Sequence, residues 1–188
     1  MENDFLTDLN ASSVIMAIKD DNGLKKCAEK EGNIVFILYG DICNIAKKVE
    51  EVKAAGKRAF VHIDLVAGLE SNKDISVDFI REYTGADGII TTKVPLIKRA
   101  KELGMNTVLR FFALDSMANE NIRKQTKAAE PDVIEVLPAL LPRALHEIVI
   151  HSPVPVITGG LVSDARDVEK LLRAGATCVS TTKSSLWK

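Results

Sequence analysis

Short apolar runs alternate with amphipathic segments along most of the chain. The runs are rich in β-branched and aromatic residues, which is typical of strands whose two faces are both covered. Turn-forming residues separate the runs from the segments that follow them. The pattern predicts eight strands, at residues 14–18, 33–39, 59–65, 88–91, 106–112, 132–137, 155–158 and 178–183.

The segments between these runs repeat apolar residues at helical spacing. In residues 42–55, for example, Ile45, Val49 and Val52 form one stripe with charged residues opposite, and Gly56 ends the segment. The chain starts with a polar segment. After it, the pattern predicts helices at residues 24–30, 42–55, 75–83, 94–103, 142–150 and 164–172. A further helix is predicted to begin at a cap formed by Asp115 and Ser116 and to reach about residue 129, and the last helix, within residues 184–188, would be barely one turn.

Eight buried strands that alternate with helices indicate parallel pairing, in a closed barrel or an open doubly wound sheet. We favour the barrel, because open sheets of this length generally have fewer strands. In addition, the turns after the seventh and eighth strands contain residues with which barrels commonly bind phosphate. The chain, at 188 residues, is shorter than the ~250 residues of a typical barrel. We therefore expect a single α/β domain, residues 1–188, folded as a short (β/α) TIM-type barrel.

Composition and charge narrow the classes of function. Hydrophobic residues make up 46% of the chain, and 25 Lys and Arg residues nearly balance 26 Asp and Glu residues. No global positive field is therefore available to hold the protein on nucleic acid or an anionic membrane, and any such contact needs a local patch. The acidic N-terminus and the absence of an apolar run of ~20 residues predict a soluble protein without a signal peptide or membrane helix.

The spacing of the cysteines indicates the redox compartment of the protein, and the spacing of the possible metal ligands indicates whether it binds a metal ion. The three cysteines are widely separated and include no CxxC pair: Cys27, Cys43 and Cys178. This set argues against a disulfide framework or a zinc site and indicates a reduced, cytoplasmic location. His62, Asp64 and Glu135 could in principle hold a divalent ion, but no close-spaced group of ligands supports one, and we predict no metal site.

Two loops near the C-terminus have the residues of a phosphate site. Gly159 and Gly160 would let the backbone approach an anion closely, and the helix predicted after them would present unpaired N–H groups with a favourable dipole. Thr181, Thr182 and Lys183 would add hydroxyl, amide and ammonium donors from the neighbouring loop. The alternative is that the glycines only make a tight turn and the lysine is solvated. Because both loops would lie at the same end of a barrel, we favour phosphate binding.

Polar residues near strand ends form a second candidate set. Period-two alternation places His62 and Asp64 on one side of their strand, and Arg110 and Glu135 lie on two later strands. If all four face inward, they could contact the hydroxyls of a small polyol or form an ion-pair layer inside the barrel. Both interpretations stay open for His62 and Arg110, whereas we favour ligand contact for Asp64 and Glu135. The chain has no nucleophile elbow, P-loop or dinucleotide fingerprint.

Basic residues bunch around three predicted helices, residues 42–55, 94–103 and the helix that reaches about 129. In chain order, the bunches are Lys47, Lys48, Lys53, Lys57 and Arg58; Lys93, Lys98, Arg99 and Lys101; and Arg123, Lys124 and Lys127. Interleaved glutamates make an ordinary solvated helix face the default interpretation. Contact with nucleic acid does not follow from these residues alone.

Six short segments resemble those of the bacterial glycerol-3-phosphate-responsive antiterminator family, regulators of glycerol uptake and utilisation operons. In order, they are residues 62–69 (HIDLVAGL), 88–92 (GIITT), 110–116 (RFFALDS), 131–138 (PDVIEVLP), 157–161 (ITGGL) and 179–187 (VSTTKSSLW). Each is weak alone, but six in the right order and spacing are specific. Three residues depart from the family pattern: Ala139 replaces a usual glycine, Thr158 a usual alanine and Lys183 a usual serine.

The resemblance implies a barrel that senses glycerol 3-phosphate as its effector and uses no cofactor. With the effector bound, it would stabilise the leader mRNA of its target operon so that a terminator does not stop transcription. The ligand phosphate would lie at the two C-terminal loops, and the glycerol hydroxyls would lie near Asp64 and Glu135. We hypothesise that lysines of residues 42–55 and 94–103 contact the RNA.

Two other functions stay open. A barrel enzyme acting on a small phosphorylated polyol, such as an isomerase, aldolase or phosphodiester hydrolase, would use Asp64 or Glu135 as base and Arg110 as electrostatic stabiliser. Alternatively, a ligand-binding protein of this kind would have another protein as its partner. A homo-oligomer is also possible, since the sequence does not specify the oligomeric state.

Overall fold

Eight parallel strands close into a barrel, each beside its neighbour in sequence and the last paired with the first. The computed structural model describes residues 4–114, 117–139 and 141–187. The strands are β1 Val14–Ile18, β2 Ile34–Ile37, β3 Arg58–His62, β4 Gly88–Thr91, β5 Asn106–Phe112, β6 Val133–Leu137, β7 Val156–Gly159 and β8 Cys178–Thr181. The closed barrel confirms the predicted TIM-type fold and excludes the open sheet.

Helices connect the strands on the outside of the barrel, except for the first helix, which precedes β1. They are α1 Asp4–Ala11, α2 Asp21–Ala28, α3 Ile45–Ala54, α4 Ile75–Tyr83, α5 Val94–Glu102, α6 Ala118–Ala129, α7 Pro142–His151 and α8 Ala165–Arg173. The predicted last turn is a 3₁₀ turn, Ser184–Leu186. The predicted cap at Asp115 and Ser116 lies outside the described residues. Within those residues, no helix is both long enough and apolar enough to cross a membrane.

Alternate residues of the strands fill the barrel interior, as strand geometry requires. Phe36, Phe60 and Val108 belong to this inner cluster and have no exposed surface. The outward-facing residues of the same strands pack beneath the surrounding helices in two further clusters. Strands buried on both faces explain why the apolar runs in the sequence are continuous.

Helix α1 closes the amino-terminal end of the barrel, and the sequence pattern did not predict it. Phe5 and Leu9 are fully buried in the inner cluster, and the ring of Phe5 lies 4.5 Å from that of Phe60, centroid to centroid. The Cys178 thiol lies 3.2 Å from the Leu9 carbonyl oxygen, which ties the helix to β8. Three apolar residues within five positions, Phe5, Leu6 and Leu9, make too short a periodic signal to indicate a helix.

Strand β3 is shorter than predicted, which changes the position of one candidate residue. The strand ends at His62, and Ile63–Leu65 form a 3₁₀ turn. Asp64 is therefore not on the strand, and the period-two argument that paired it with His62 does not apply. Helix α2 also differs, because it begins at Asp21 after Asp20, whose carboxylate accepts a hydrogen bond from the Gly23 N–H at 2.7 Å.

Candidate functional site

A cavity of about 430 Å³ opens at the carboxyl ends of the strands, beside the loops that follow β7 and β8. Its size is within the range of about 300–1,000 Å³ that is usual for small-molecule sites. Six predicted site residues line it: Arg110, Glu135, Gly160, Thr181, Thr182 and Lys183. The barrel thus brings four of the five predicted phosphate-binding residues together with two of the four predicted polyol-binding residues. We call this cavity the mouth cavity.

A buried polar network forms one wall of the mouth cavity. The Arg110 Nε–H donates a hydrogen bond to Glu135 Oε2 at 2.6 Å, and the Ser180 hydroxyl donates to Glu135 Oε1. Glu135 is fully buried and Arg110 nearly so. A buried carboxylate is retained only when it is paired and hydrogen-bonded, so the network accounts for Glu135 without a ligand. It also fixes the guanidinium of Arg110 at the cavity.

Gly159 has a packing role that involves no ligand. It lies within β7, and a Cβ atom there would approach the Ser180 hydroxyl oxygen to 2.1 Å and the Ser180 carbonyl oxygen to 2.7 Å. Only glycine leaves room for the hydroxyl that reaches Glu135. Ser180 was missed as a site residue, although alternation along β8 puts it on the same face as the inward-facing Cys178.

The turn after β7 has an unusual backbone. Gly160 has a φ of 76°, and the next residue, Leu161, has a φ of 59°, which is uncommon for a residue with a side chain. The Leu161 side chain lines the mouth cavity and is 73% exposed. Backbone strain of this kind is concentrated at functional sites, so the turn is consistent with a binding loop.

The N-terminus of α8 does not supply the free N–H groups that the sequence predicted. The Asp164 side chain caps this helix and accepts hydrogen bonds from the backbone N–H groups of Arg166 at 2.8 Å and Asp167 at 3.0 Å. The carboxylate thus occupies the position that an anion would take. Any phosphate in the mouth cavity must depend on other donors.

Lys183 joins the two loops beside the mouth cavity. Its ammonium group donates a hydrogen bond to the carbonyl oxygen of Ser163, in the loop after β7. The turn that carries it is held from below, because the Trp187 indole N–H donates to the Thr181 carbonyl oxygen at 2.9 Å. Thr182 and Lys183 are exposed and Thr181 is buried. An ammonium has three N–H donors, so Lys183 retains donors for an anion.

Asp64 and His62 do not line the mouth cavity. Asp64 accepts hydrogen bonds from the Thr91 hydroxyl at 2.7 Å and from the Thr92 N–H and hydroxyl, both at 2.8 Å. These bonds account for the Asp64 carboxylate structurally. His62 is buried, and its Nδ1 has no hydrogen-bond partner among the described residues. Burial, together with the nearby charge of Arg110, lowers the pKa of His62 to about 3, so its ring is neutral at physiological pH.

Comparison with known proteins identifies the family. Residues 14–187 match the model of the glycerol-3-phosphate responsive antiterminator family. The chain belongs to this family. The match confirms the resemblance inferred from the six segments.

Known relatives of this antiterminator-family chain are similar over almost its entire length. The uncharacterized protein YgcP of Escherichia coli K12 is 39% identical over 95% of this chain and 93% of its own. Two solved structures are also similar. The glycerol uptake operon antiterminator regulatory protein of Listeria monocytogenes has a TM-score of 0.89 at 30% identity, covering 93% of this chain and 94% of its own. An antiterminator-related protein of Thermotoga maritima has a TM-score of 0.81 at 34% identity, covering 94% and 98%.

Three of the five basic residues predicted to contact RNA in this antiterminator-family chain make salt bridges with carboxylates. Lys48 is buried, donates a hydrogen bond to Asp21 at 2.6 Å, and lies over the Tyr39 ring. Arg99 pairs with two carboxylates, those of Asp78 and Glu102. Lys47 is exposed and its ammonium lies 3.9 Å from a Glu51 carboxylate oxygen, and Lys93 and Lys98 are also exposed.

One departure from the antiterminator-family pattern has a structural explanation. The Thr158 hydroxyl donates a hydrogen bond to the Val136 carbonyl oxygen at 2.8 Å, which joins β7 to β6. The Ala139 N–H donates to the Gly159 carbonyl oxygen at 2.8 Å, but a glycine would make the same bond, and nothing in the structure explains the alanine. Among the described residues, no three metal-ligating side chains lie close enough together to hold an ion.

Proposed function

We propose that this protein is a cytoplasmic sensor of glycerol 3-phosphate that, with this effector bound, binds the leader mRNA of glycerol utilisation genes and allows transcription to pass a terminator. Membership of the antiterminator family supports the regulatory role. The mouth cavity supports the effector. It joins donors from two neighbouring loops to a buried arginine–glutamate pair, and this combination is the observation that carries the proposal.

In this proposal the phosphate lies against Gly160, Thr182 and Lys183. Hydroxyl and ammonium groups are suitable donors to phosphate oxygens, and a glycine with positive φ allows the backbone to approach them. The glycerol hydroxyls lie toward Arg110 and Glu135, deeper in the cavity. His62 and Asp64 act from behind this wall by maintaining the surroundings of Arg110, while Gly159 leaves space for Ser180.

The proposed switch depends on the link between the loops after β7 and β8. A ligand shifts a conformational equilibrium only through different affinities for the two states. A phosphate that contacts Lys183 would favour the state in which the two loops are held together through Ser163. RNA would bind more tightly to that state, and by linkage RNA would raise the affinity for glycerol 3-phosphate by the same factor.

Calorimetry with glycerol 3-phosphate, glycerol and inorganic phosphate tests the effector. We expect glycerol 3-phosphate to bind most tightly, because only this molecule contacts both the loop donors and the Arg110 wall. An electrophoretic shift of the leader RNA from the glycerol uptake operon of the same genome tests the regulation, with and without the effector. A shift that requires glycerol 3-phosphate supports the proposal, and equal shifts in both lanes contradict the switch.

Phosphorus NMR of the same mixture distinguishes a sensor from an enzyme. A sensor leaves the glycerol 3-phosphate signal unchanged over hours, whereas an isomerase, aldolase or hydrolase replaces it with a product signal. Both carboxylate oxygens of Glu135 already accept hydrogen bonds, which disfavours this residue as a catalytic base. Turnover without any RNA shift would contradict the proposed function.

A further inference from the structure

A groove between α6 and α7 is separate from the mouth cavity. Two adjoining cavities, of about 190 Å³ and about 530 Å³, form it on the outside of the barrel. Both are lined by Arg123, Thr126, His151 and Pro153. We call it the α6–α7 groove. None of the functions inferred for the mouth cavity uses it.

An unpartnered hydroxyl lies at the base of the α6–α7 groove. Thr126 is 1% exposed, it lines both cavities, and its hydroxyl has no hydrogen-bond partner among the described residues. A helical threonine facing inward ordinarily donates to a carbonyl oxygen of the preceding turn, as Thr84 does to Ile80 at 2.6 Å. Buried polar groups are almost always paired, so the hydroxyl of Thr126 is a donor that a polar group entering the groove could use.

Two exposed cations line the same groove. Arg123 and Lys127 are exposed, and neither has a carboxylate within salt-bridge distance in the described part of the chain. They lie four residues apart on α6, about 6 Å along the helix axis, and so project from one face. By contrast, Lys124 on the same helix pairs with Glu120 at 2.6 Å. Among the described residues, the groove therefore offers two cations that form no salt bridge, alongside two carboxylates that likewise form none, Glu130 and Glu147.

The rest of the groove is long and mixed in character, because its lining includes the carboxylates of Glu130 and Glu147 as well as apolar residues. Ile122, Ile148 and Val154 contribute apolar surface to its lining. It follows α6 from Asn119 to Glu130, a distance of about 16 Å at the rise of an α-helix. Unpaired bases pack on apolar and aromatic surfaces while cations follow the backbone phosphates, so cations beside an elongated apolar floor match single-stranded nucleic acid better than a single small anion.

We propose that the α6–α7 groove is where this protein binds single-stranded RNA, with backbone phosphates on Arg123 and Lys127 and a base on the apolar floor. The Thr126 hydroxyl donates to the RNA from the base of the groove. This inference rests on the proposed function, because it locates the RNA contact of that regulator. It moves the contact away from α3 and α5, where Lys48 and Arg99 are already engaged.

Neutralising the two cations tests the groove directly. The variant is R123Q/K127Q, and the matched control is R166Q/R173Q on α8, which also removes two exposed positive charges. The probe is the fluorescein-labelled leader RNA of the glycerol uptake operon, titrated by anisotropy at saturating glycerol 3-phosphate and several salt concentrations. We expect the slope of log affinity against log salt to fall by about 1.4 in the variant, about 0.7 for each lost phosphate contact. The control keeps the wild-type slope.

Replacing the buried hydroxyl with a methyl group gives a second, independent test. T126V preserves the side-chain shape, and removing an unsatisfied polar group does not lower the melting temperature. If the hydroxyl donates to RNA, the variant binds the leader RNA about fivefold more weakly, as for the loss of one hydrogen bond. If Thr126 has only a packing role, its RNA affinity equals that of the wild type.

The outcomes separate this inference from the proposed function. If the wild type binds RNA and R123Q/K127Q binds it with the same affinity and salt slope, the groove assignment is overturned and the antiterminator function stands. The groove would then hold solvent or a protein partner. If the wild type binds no RNA at any effector concentration, both proposals fail. Calorimetry with glycerol 3-phosphate confirms that each variant keeps its mouth cavity.

Discussion

The two ends of the barrel are built in opposite ways. At the amino-terminal end, α1 inserts Phe5 and Leu9 into the apolar inner cluster, and its only buried side chains are apolar, while the half-buried Asp8 pairs with Arg58 at the start of β3. At the carboxyl end, an ion pair between Arg110 and Glu135 and the Ser180 hydroxyl occupy the interior, and a cavity remains above them. One end removes apolar area from water, which stabilises the fold, whereas the other buries charges, which contributes little or costs stability.

This contrast supports the proposal that the carboxyl end carries the function. A protein under no constraint beyond folding would gain by packing both ends with apolar side chains, since replacing a buried ion pair with such residues is often neutral or stabilising. Polar groups kept in the interior, a turn with strained backbone, and an adjacent cavity all occur at the carboxyl end. Barrels place their sites at this end.

The largest expected effect is the loss of the apolar closure. Phe5→Ala removes a fully buried ring, and we expect the free energy of unfolding to fall by about 4 kcal/mol, as for other large-to-small changes in cores. Urea denaturation measures it. Thr7→Ala, at an exposed position of the same helix, is the control and should change the value by less than about 0.5 kcal/mol. Equal effects of the two variants would mean that α1 is not part of the core.

Breaking the ion pair at the other end should cost slightly less stability. Glu135→Gln leaves the charge of Arg110 buried without its counter-ion, which lowers the free energy of unfolding by about 3 kcal/mol. The double variant Arg110→Met with Glu135→Leu should recover most of this loss but not bind glycerol 3-phosphate. A double variant that still bound the effector would show that this wall of the cavity has no ligand role.

The neutral imidazole at the carboxyl end predicts a pH dependence. The pKa of His62 is about 3 in the folded state, whereas the ordinary pKa of a histidine is about 6.5. As the pH falls below about 6.5, the unfolded chain therefore binds a proton at His62 that the folded chain does not bind. The stability that the neutral His62 ring contributes is therefore fully present above pH 6.5 and is lost as the pH falls toward 3. Between about pH 7 and about pH 5, the wild type should lose about 2 kcal/mol more than His62→Gln. If the free energy of unfolding falls by the same amount in the two proteins across this pH range, the prediction is contradicted.

The smallest expected effect on the fold comes from the exposed lysine beside the mouth cavity. Lys183→Gln removes a charged donor, and we expect calorimetry to show about tenfold weaker binding of glycerol 3-phosphate with an unchanged melting temperature. Lys170→Gln on α8 is the matched control, exposed and outside the cavity lining. A loss of affinity in both variants would indicate a general electrostatic effect instead of a contact.

Prediction from sequence worked best where the signal is local. Strand β4 and helix α4 begin and end at the predicted residues, because a glycine or a helical stripe marks their limits. Helix α1 was missed, since its two core residues lie in a polar segment and gain their burial only from the completed barrel. The predicted end of β3 was also wrong. The apolar run continues past the strand to Ile63, which lies in a 3₁₀ turn and is buried by its tertiary packing.

The sequence alone determined the number and order of the strands and the end of the barrel at which polar residues gather. Repeating periodicity records local backbone geometry, and parallel strands necessarily bring their carboxyl ends together. Only the tertiary structure decided which polar groups are free. Asp64 is engaged by Thr91 and Thr92, and Asp164 caps α8, because each carboxylate meets its donors only when the loops are folded. The spacing of residues along the sequence does not indicate which hydrogen-bond partners a carboxylate meets in the folded protein.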